Sequence, residues 1–237
     1  MTIDLNCDMG EREDIAGERL LQLVSSANVS CGAHAGTPEL LERTLRLAKR
    51  YGVACGAHPS YPDRANFGRL SMALSGGEIE AAVEEQVRAL ARLAAGLEIE
   101  LSHVKPHGAL YNDAARNTEV AEAVARGVAK WSRKVVLVGL AGMPVLDTWR
   151  AMGFRVAAEA FADRAYEADG SLRPRNKPGA LIQDPVQAAL QALELARRGG
   201  IQTLCIHGDT PGAEKILEAV RSRLEEAGIR VQPLPAE

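Results

Sequence analysis

Residues 3–10 of the chain read IDLNCDMG, and apolar and polar side chains alternate along this stretch. Alternation of this kind predicts a β-strand with two unlike faces. Asp4, Asn6 and Asp8 share the polar face. A strand in the middle of an open parallel sheet is covered on both sides and is usually apolar on both faces. The polar face therefore indicates a strand that lines the inside of a closed barrel.

A second stretch has the same arrangement. Residues 103–108 read HVKPHG, which puts His103, Lys105 and His107 on one face of an extended segment. In α/β barrels, the carboxyl ends of the strands and the loops that follow them form the active face. A polar barrel interior therefore predicts a functional site at the barrel mouth.

Strand-like and helix-like segments alternate along the chain. Seven strands are predicted, at residues 3–7, 27–31, 53–57, 100–105, 135–139, 154–159 and 203–207. Amphipathic patterns between them predict helices at residues 38–50, 77–97, 118–131, 186–198 and 213–227. Thr37-Pro38, Asp184-Pro185 and Thr210-Pro211 each place a capping residue before a proline and predict three helix starts. No GxGxxG or GxxxxGK[ST] sequence follows a strand, so an α/β barrel is favoured over an open nucleotide-binding sheet.

Length and composition indicate one globular domain over residues 1–237, with 46% hydrophobic and 25% charged residues. The formal net charge of -3 predicts no binding to nucleic acid or to an anionic membrane surface. The acidic N-terminal segment is unlike a signal peptide, and no apolar run is long enough to span a membrane. Four cysteines without a CxxC pair favour the reducing cytoplasm.

All five histidines lie in or just after the carboxyl-terminal half of a predicted strand: His34, His58, His103, His107 and His207. Asp8 ends the first strand, so its carboxylate is expected at the same mouth. Two interpretations remain open. Asp8, His34, His58 and His103 are candidate ligands for Zn²⁺, Mn²⁺ or Fe²⁺, because imidazole and carboxylate suit these ions. Without a metal, the same groups form a general acid and base set.

Charged side chains near these histidines are candidates for binding an anionic substrate. A partly buried Lys105 is expected to bind an anion or to polarise a carbonyl oxygen. The stretch after residue 159 has little apolar periodicity up to residue 182, and loops of that length are usually functional or disordered. We predict that it forms an anion-binding lid. The candidate substrate-binding residues are His34, Arg69, Glu159, Asp163, Arg164, Lys177 and His207.

Five segments carry a resemblance to a known family. They read DLNCDMGE from residue 4, NVSCGAHAG from residue 28, GAHPSYPD from residue 56 with NFGR from residue 66, HVKPHGALYN from residue 103, and EAFADRAYEADGSLRPRNKPGALI from residue 159. Together they resemble the LamB/YcsF family, the A subunits of 5-oxoprolinase. The resemblance covers residues 4–209. It implies a distorted β/α barrel similar to that of the polysaccharide deacetylases.

The resemblance also implies a reaction, the ATP-dependent opening of 5-oxo-L-proline to L-glutamate together with B and C partner subunits. Our hypothesis for the catalytic residues is Asp8, His58, His103, Lys105 and His107. ATP is the implied co-substrate, a divalent metal remains open, and so does a homo-oligomer. The alternatives are a metal-dependent amide hydrolase or deacetylase that acts alone, and a binding subunit without catalytic groups of its own.

Overall fold

Seven parallel strands close into a barrel in the computed structural model, which describes residues 1–13 and 16–235. The strands are β1 (Thr2–Met9), β2 (Ser26–Ser30), β3 (Ala54–His58), β4 (Leu101–Val104), β5 (Val136–Leu140), β6 (Arg155–Phe161) and β7 (Thr203–Cys205). Each strand pairs with the next, and β1 closes the ring by pairing with both β2 and β7. The short β8 (Arg230–Val231) lies outside the ring and pairs with Thr2 and Ile3. The predicted seven-stranded barrel is confirmed.

The barrel is irregular at one pairing, because the register between β3 and β4 shifts between Cys55 and Gly56. The space beside Gly56 is filled by His103, whose ring would lie 2.2 Å from a Cβ added at Gly56. A residue with a side chain could not occupy that position without displacing the histidine.

Eight α-helices belong to the described residues: α1 (Ala16–Leu23), α2 (Pro38–Tyr51), α3 (Gly76–Gly96), α4 (Gly108–Arg116), α5 (Thr118–Ala129), α6 (Val145–Ala151), α7 (Pro185–Arg198) and α8 (Ala213–Glu226). The five predicted helices are confirmed with small shifts at their ends. Helices α1, α4 and α6 were not predicted, because 8, 9 and 7 residues hold too few turns for a clear periodicity. Within the described part of the chain, none of the helices has the length and apolar character needed to cross a bilayer.

Two of the three predicted helix starts are confirmed, since the side chains of Thr37 and Asp184 cap α2 and α7. The third prediction was wrong. Helix α8 begins at Ala213, and the Thr210 hydroxyl donates to Asp163 Oδ2 at 2.6 Å instead of capping the helix. A buried carboxylate needs hydrogen-bond donors, and this need outweighs the local preference for a cap.

The polar face of β1 points into the barrel, as predicted. Its register places Asp4 beside Thr203, Asn6 beside both Ser26 and Cys205, and Asp8 beside Asn28. The alternate side chains of this strand belong to the hydrophobic core instead. The barrel interior is therefore a column of hydrogen-bonded polar groups that leads towards the carboxyl ends of the strands.

Asp4 lies low in this column and accepts hydrogen bonds from the hydroxyls of Ser25 at 2.7 Å, Ser26 at 2.8 Å and Thr203 at 2.6 Å. Burial raises the pKa of Asp4 to about 6, although these hydroxyl groups act in the opposite direction. Folding therefore favours the protonated carboxyl group. Its contribution to stability is complete below the unfolded pKa of about 4 and is lost as the pH rises through the folded pKa.

We predict that replacing Asp4 with asparagine removes this pH dependence. Between pH 4 and pH 7, the free energy of unfolding of the native protein should fall by about 2 kcal/mol relative to the Asp4→Asn variant. Urea unfolding at a series of pH values measures the difference. Glu100→Gln is the control, because Glu100 is exposed. Identical pH profiles for the native protein and Asp4→Asn would contradict the prediction.

Candidate functional site

A cleft of about 480 Å³ opens at the carboxyl ends of the strands. Seven of the predicted site residues line it: Asp8, His58, Arg69, Lys105, His107, Arg164 and His207. Four others are buried next to or below the cleft without lining it: His34, His103, Glu159 and Asp163. Lys177 is exposed and does not line the cleft. The strand ends thus bring together most of the residues that the sequence singled out.

Lys105 lies at the centre of the cleft floor, just after β4, and its backbone N–H still donates to Ala57 O at 2.9 Å. Its Nζ is 3.0 Å from Asp8 Oδ1 and 2.9 Å from Glu159 Oε1. Burial alone would lower the pKa of Lys105, but Asp8, Cys205 and Glu159 together raise it well above its ordinary value. The cleft floor therefore holds a buried ammonium group between two acidic side chains.

Asp8 ends β1 and is held from two sides. Asn28 Nδ2 donates to Asp8 Oδ1 at 2.9 Å, and His58 Nε2 lies 3.4 Å from the same oxygen. Burial would raise the pKa of Asp8, but His58 and Lys105 lower it well below its ordinary value. Asp8 is therefore an ionised carboxylate at the mouth of the barrel.

His58 and His107 face each other beside Asp8. His58 Nε2 is 3.0 Å from His107 Nδ1, and Glu11 Oε1 is 3.3 Å from His107 Nδ1. Burial lowers the pKa of His107 well below its ordinary value. Ligand atoms of Asp8, Glu11, His58 and His107 all lie within 4.8 Å of one another, and this group fits a divalent metal.

The two other predicted metal ligands lie outside this group. His34 stacks on His107, with ring centroids 3.8 Å apart, and its Nε2 is 3.0 Å from Glu11 Oε1. His103 lies deeper in the barrel, where its Nε2 is 2.9 Å from Asn28 Oδ1. Burial lowers the pKa of His103 to about 3, so the ring is neutral and donates to the amide oxygen. The sequence named His34 and His103 as candidate metal ligands beside Asp8 and His58. The group in the structure contains Glu11 and His107 instead.

An aspartate–histidine pair also lies at the cleft, where a ring nitrogen of His207 is within 4.8 Å of a carboxylate oxygen of Asp8. His207 Nδ1 is 3.1 Å from both carboxylate oxygens of Asp163, and the His207 ring stacks on Phe161. Asp163 also accepts the backbone N–H of His207 at 3.1 Å and the hydroxyl of Thr210. Burial would raise the pKa of Asp163, but His207 and these hydrogen bonds lower it. The carboxylate therefore fixes the orientation of the His207 ring.

Arg164 contributes a buried cation to the cleft. Its Nη2 donates to Arg173 O at 2.7 Å, while its Nε has no hydrogen-bond partner among the described residues. Burial, together with the nearby Arg175, lowers the pKa of Arg164 to about 10. Arg69 and Arg175, by contrast, both pair with Asp209. No carboxylate in the described ranges forms an ion pair with Arg164, so this guanidinium is available to an anionic ligand.

Several site residues were missed by the sequence reasoning, among them Glu11, Asn28 and Asp209. A signal existed for Asn28, because Ser26, Asn28 and Ser30 alternate with apolar residues as the polar residues of β1 do. Glu11 reaches the site through the turn at Gly10, whose φ is +74°. Asp209 gave no signal, since its importance depends on two arginines that are distant in sequence.

The closed ring of parallel strands defines an α/β-barrel protein, and acids, histidines and cations gather at the carboxyl ends of its strands. The sequence pattern of the LamB/YcsF family matches residues 3–237, and the chain belongs to this family.

Relatives of known name extend this comparison. A protein from Chloroflexus aggregans, named as the A subunit of 5-oxoprolinase, is 50% identical over 248 residues, which cover 98% of each chain. The crystal structure of a lactam utilization protein from Thermus thermophilus has a TM-score of 0.92 and 42% identity, and covers 99% of this chain and 100% of that one. A family 4 carbohydrate esterase from Streptomyces lividans has a TM-score of 0.56 at 10% identity, covers 99% and 93%, and shares the fold.

Proposed function

We propose that the chain is the A subunit of an ATP-dependent 5-oxoprolinase, which opens 5-oxo-L-proline to L-glutamate with B and C partner subunits. The main structural support is Arg164, a buried cation in the cleft that lacks a carboxylate partner within the described residues. The substrate carries one carboxylate. The names of relatives at 50% and 42% identity agree with a lactam as substrate.

The proposed chemistry uses the charged groups that lie around the cleft. Arg164 holds the substrate carboxylate, because guanidinium groups bind carboxylates through paired hydrogen bonds. The ammonium group of Lys105 faces the lactam oxygen and stabilises negative charge that develops there. Water is activated by Asp8 or by the His58 and His107 pair acting as the general base.

Ring opening also needs a proton at the leaving nitrogen. Water adds to the lactam carbon, the bond from carbon to nitrogen breaks, and the nitrogen leaves as an amine. His207, oriented by Asp163, supplies this proton to the leaving nitrogen. Glu159 and His103 position the reacting groups from beneath the cleft. Glu159 contacts Lys105, and His103 donates to Asn28, which in turn donates to Asp8.

ATP coupling has a chemical reason. An amide nitrogen is a poor leaving group and a five-membered lactam recloses readily, so phosphorylation of the lactam oxygen by ATP, with release of ADP, would favour attack by water. Breakage of the carbon–nitrogen bond then gives an acyl phosphate, and a second water hydrolyses it to the carboxylate of glutamate and free phosphate. Arg69, which lines the cleft and pairs with Asp209, is suited to anionic oxygen atoms. The chain has no P-loop or Rossmann glycine motif, so we assign nucleotide binding to the assembled complex. We also assign the protein to the cytoplasm, in agreement with four free cysteines.

A second candidate is a metal-dependent amide hydrolase that acts alone. The group of Asp8, Glu11, His58 and His107 favours it, because metal hydrolases combine such ligands with an activated water. This candidate predicts lactam opening without ATP, whereas the first predicts opening only in the complex with ATP.

The deciding experiment measures glutamate release and ATP hydrolysis for this chain alone and together with the B and C subunits. We expect both activities to depend on 5-oxoproline and glutamate to appear only when all three proteins are present. In the complex, Arg164→Gln should raise the KM for 5-oxoproline by about 10- to 100-fold, as loss of a charged hydrogen bond predicts. Arg150→Gln is the control, on the exposed surface of α6. Absence of glutamate in every combination, or an unchanged KM for Arg164→Gln, would refute the proposal.

A further inference from the structure

Two backbone carbonyl groups fix the hydrogen positions of His58 and His107. His58 Nδ1 is 2.7 Å from Lys105 O, and His107 Nε2 is 3.0 Å from Phe67 O. A carbonyl oxygen only accepts hydrogen bonds, so each of these nitrogens carries a hydrogen. In the neutral rings, the lone pairs are then on His58 Nε2 and His107 Nδ1, the two atoms that face each other at 3.0 Å.

Two acidic side chains approach the same point. Asp8 Oδ1 is 3.4 Å from His58 Nε2, while Glu11 Oε1 is 3.3 Å from His107 Nδ1 and 4.0 Å from His58 Nε2. Lys105 Nζ already lies 3.0 Å from Asp8 Oδ1 on the other side. The two nitrogen lone pairs and the Glu11 carboxylate still repel one another in this buried place unless a further cation lies between them. A proton shared by the two rings would satisfy the nitrogens but would leave oxygen atoms of the two carboxylates within 4.8 Å of each other with no cation between them.

The separations of these atoms match those around a bound metal. Nitrogen and oxygen ligands lie about 2.0–2.1 Å from zinc, so neighbouring ligands in a tetrahedral site are about 3.3 Å apart. The observed separations are 3.0, 3.3, 3.4 and 4.0 Å. In addition, histidines that bind a metal almost always donate their other N–H to a carbonyl or carboxylate, as His58 and His107 do.

We propose that Asp8, Glu11, His58 and His107 bind one divalent cation of the zinc class, with His58 Nε2 and His107 Nδ1 as the nitrogen ligands. Glu11 is the ligand that comes from the loop after β1. His34 is its positioning residue, because it lies 3.0 Å from Glu11 Oε1 and stacks on His107. Metal binding is measurable without lactam or ATP, so the proposal is tested independently of the reaction described above. With an ion bound, the metal would hold the lone pairs of His58 and His107, and the ion would activate water in place of these rings.

Cobalt(II) is the probe, because its visible absorption reports the number and type of its ligands. The full-length chain is stripped with a chelator and titrated with Co²⁺, and the bound cobalt is then displaced with Zn²⁺. We expect one equivalent of Co²⁺ with the strong absorption of a site of low coordination number, and complete displacement by Zn²⁺. If the chain bound neither Co²⁺ nor Zn²⁺ in stoichiometric amount, the proposal would be wrong. The alternative would then be a proton shared by the His58 and His107 rings.

Three variants test the individual assignments. His107→Ala and Glu11→Gln should each alter the cobalt spectrum and weaken binding by at least about 10-fold, because a ligand is lost. His34→Asn should weaken binding by about 10- to 100-fold but leave the spectrum of the saturated protein unchanged, as expected for a residue outside the ligand shell. Glu13→Gln is the control, an exposed acid of the same loop.

Circular dichroism shows whether each variant is folded, and the isosteric Glu11→Gln keeps the test valid if His107→Ala does not fold. Native affinity and spectrum in Glu11→Gln would remove Glu11 from the site, and native affinity in His34→Asn would refute the positioning role. Failure of the 5-oxoprolinase assay would leave all of these binding results unaffected.

Discussion

Replacement of Lys105 with methionine is expected to lower the free energy of unfolding by about 3–5 kcal/mol, because removing one partner of a buried ion pair leaves the other charge uncompensated. The ammonium group of Lys105 lies 3.0 Å from Asp8 and 2.9 Å from Glu159, and all three side chains are buried. Methionine keeps most of the volume of the side chain but leaves two acidic groups without their cation. Glutamate release by the complex should fall by at least about 100-fold, because the group that faces the lactam oxygen is lost.

A second variant separates the two effects. In the double variant Lys105→Met with Glu159→Gln, one of the two uncompensated acids is neutral, so part of the lost stability should return. Activity should stay low, since the ammonium group is still absent. Urea unfolding at pH 7 measures the first quantity and the assay of the reconstituted complex measures the second. If Lys105→Met were as stable and as active as the native protein, the ion pairs of Lys105 would have neither of the assigned roles.

The barrel could be predicted because its signal is local. Alternation along a strand shows which side chains share a face, and the polar face of β1 was enough to indicate a polar barrel interior. What alternation does not show is depth along the barrel axis. His103 and His107 share a face with Lys105, yet four residues of extended chain separate them by about 13 Å. The structure accordingly places His103 in the interior against Asn28 and His107 at the mouth beside Glu11.

The long loop after β6 shows a second limit. Arg164 and Lys177 are both cations in a polar stretch, and the sequence predicts both as substrate-binding residues. Bridges between Arg164 and Leu181 and between Tyr166 and Leu172 fold the segment back on itself. This folding buries Arg164 at the cleft and leaves Lys177 exposed. Contacts between residues far apart in the chain decide which cation reaches the site, and a single sequence does not contain them.

The Asp163–His207 pair provides the second prediction of large effect. Asparagine at position 163 keeps the size of the side chain but carries no negative charge, so it no longer stabilises the protonated His207 ring that donates the proton to the leaving nitrogen. In a serine protease triad, replacing the aspartate with asparagine lowers kcat by about 10⁴-fold. We expect Asp163→Asn to lower the kcat of glutamate release by about 10³- to 10⁴-fold. The KM for 5-oxoproline should change little, because Arg164 still holds the carboxylate.

Two comparisons show whether the pair acts as a unit. His207→Asn should lose about as much kcat as Asp163→Asn, and the double variant should lose no more than either, since residues that act together are not additive. Thr210→Val removes another hydrogen bond to Asp163 but leaves the His207 contact in place, so its kcat should stay within about 10-fold of the native value. A rise in KM without a fall in kcat in Asp163→Asn would mean that the pair binds the substrate and does not transfer the proton. Full additivity in the double variant would mean that Asp163 acts on the reaction by another route than through His207.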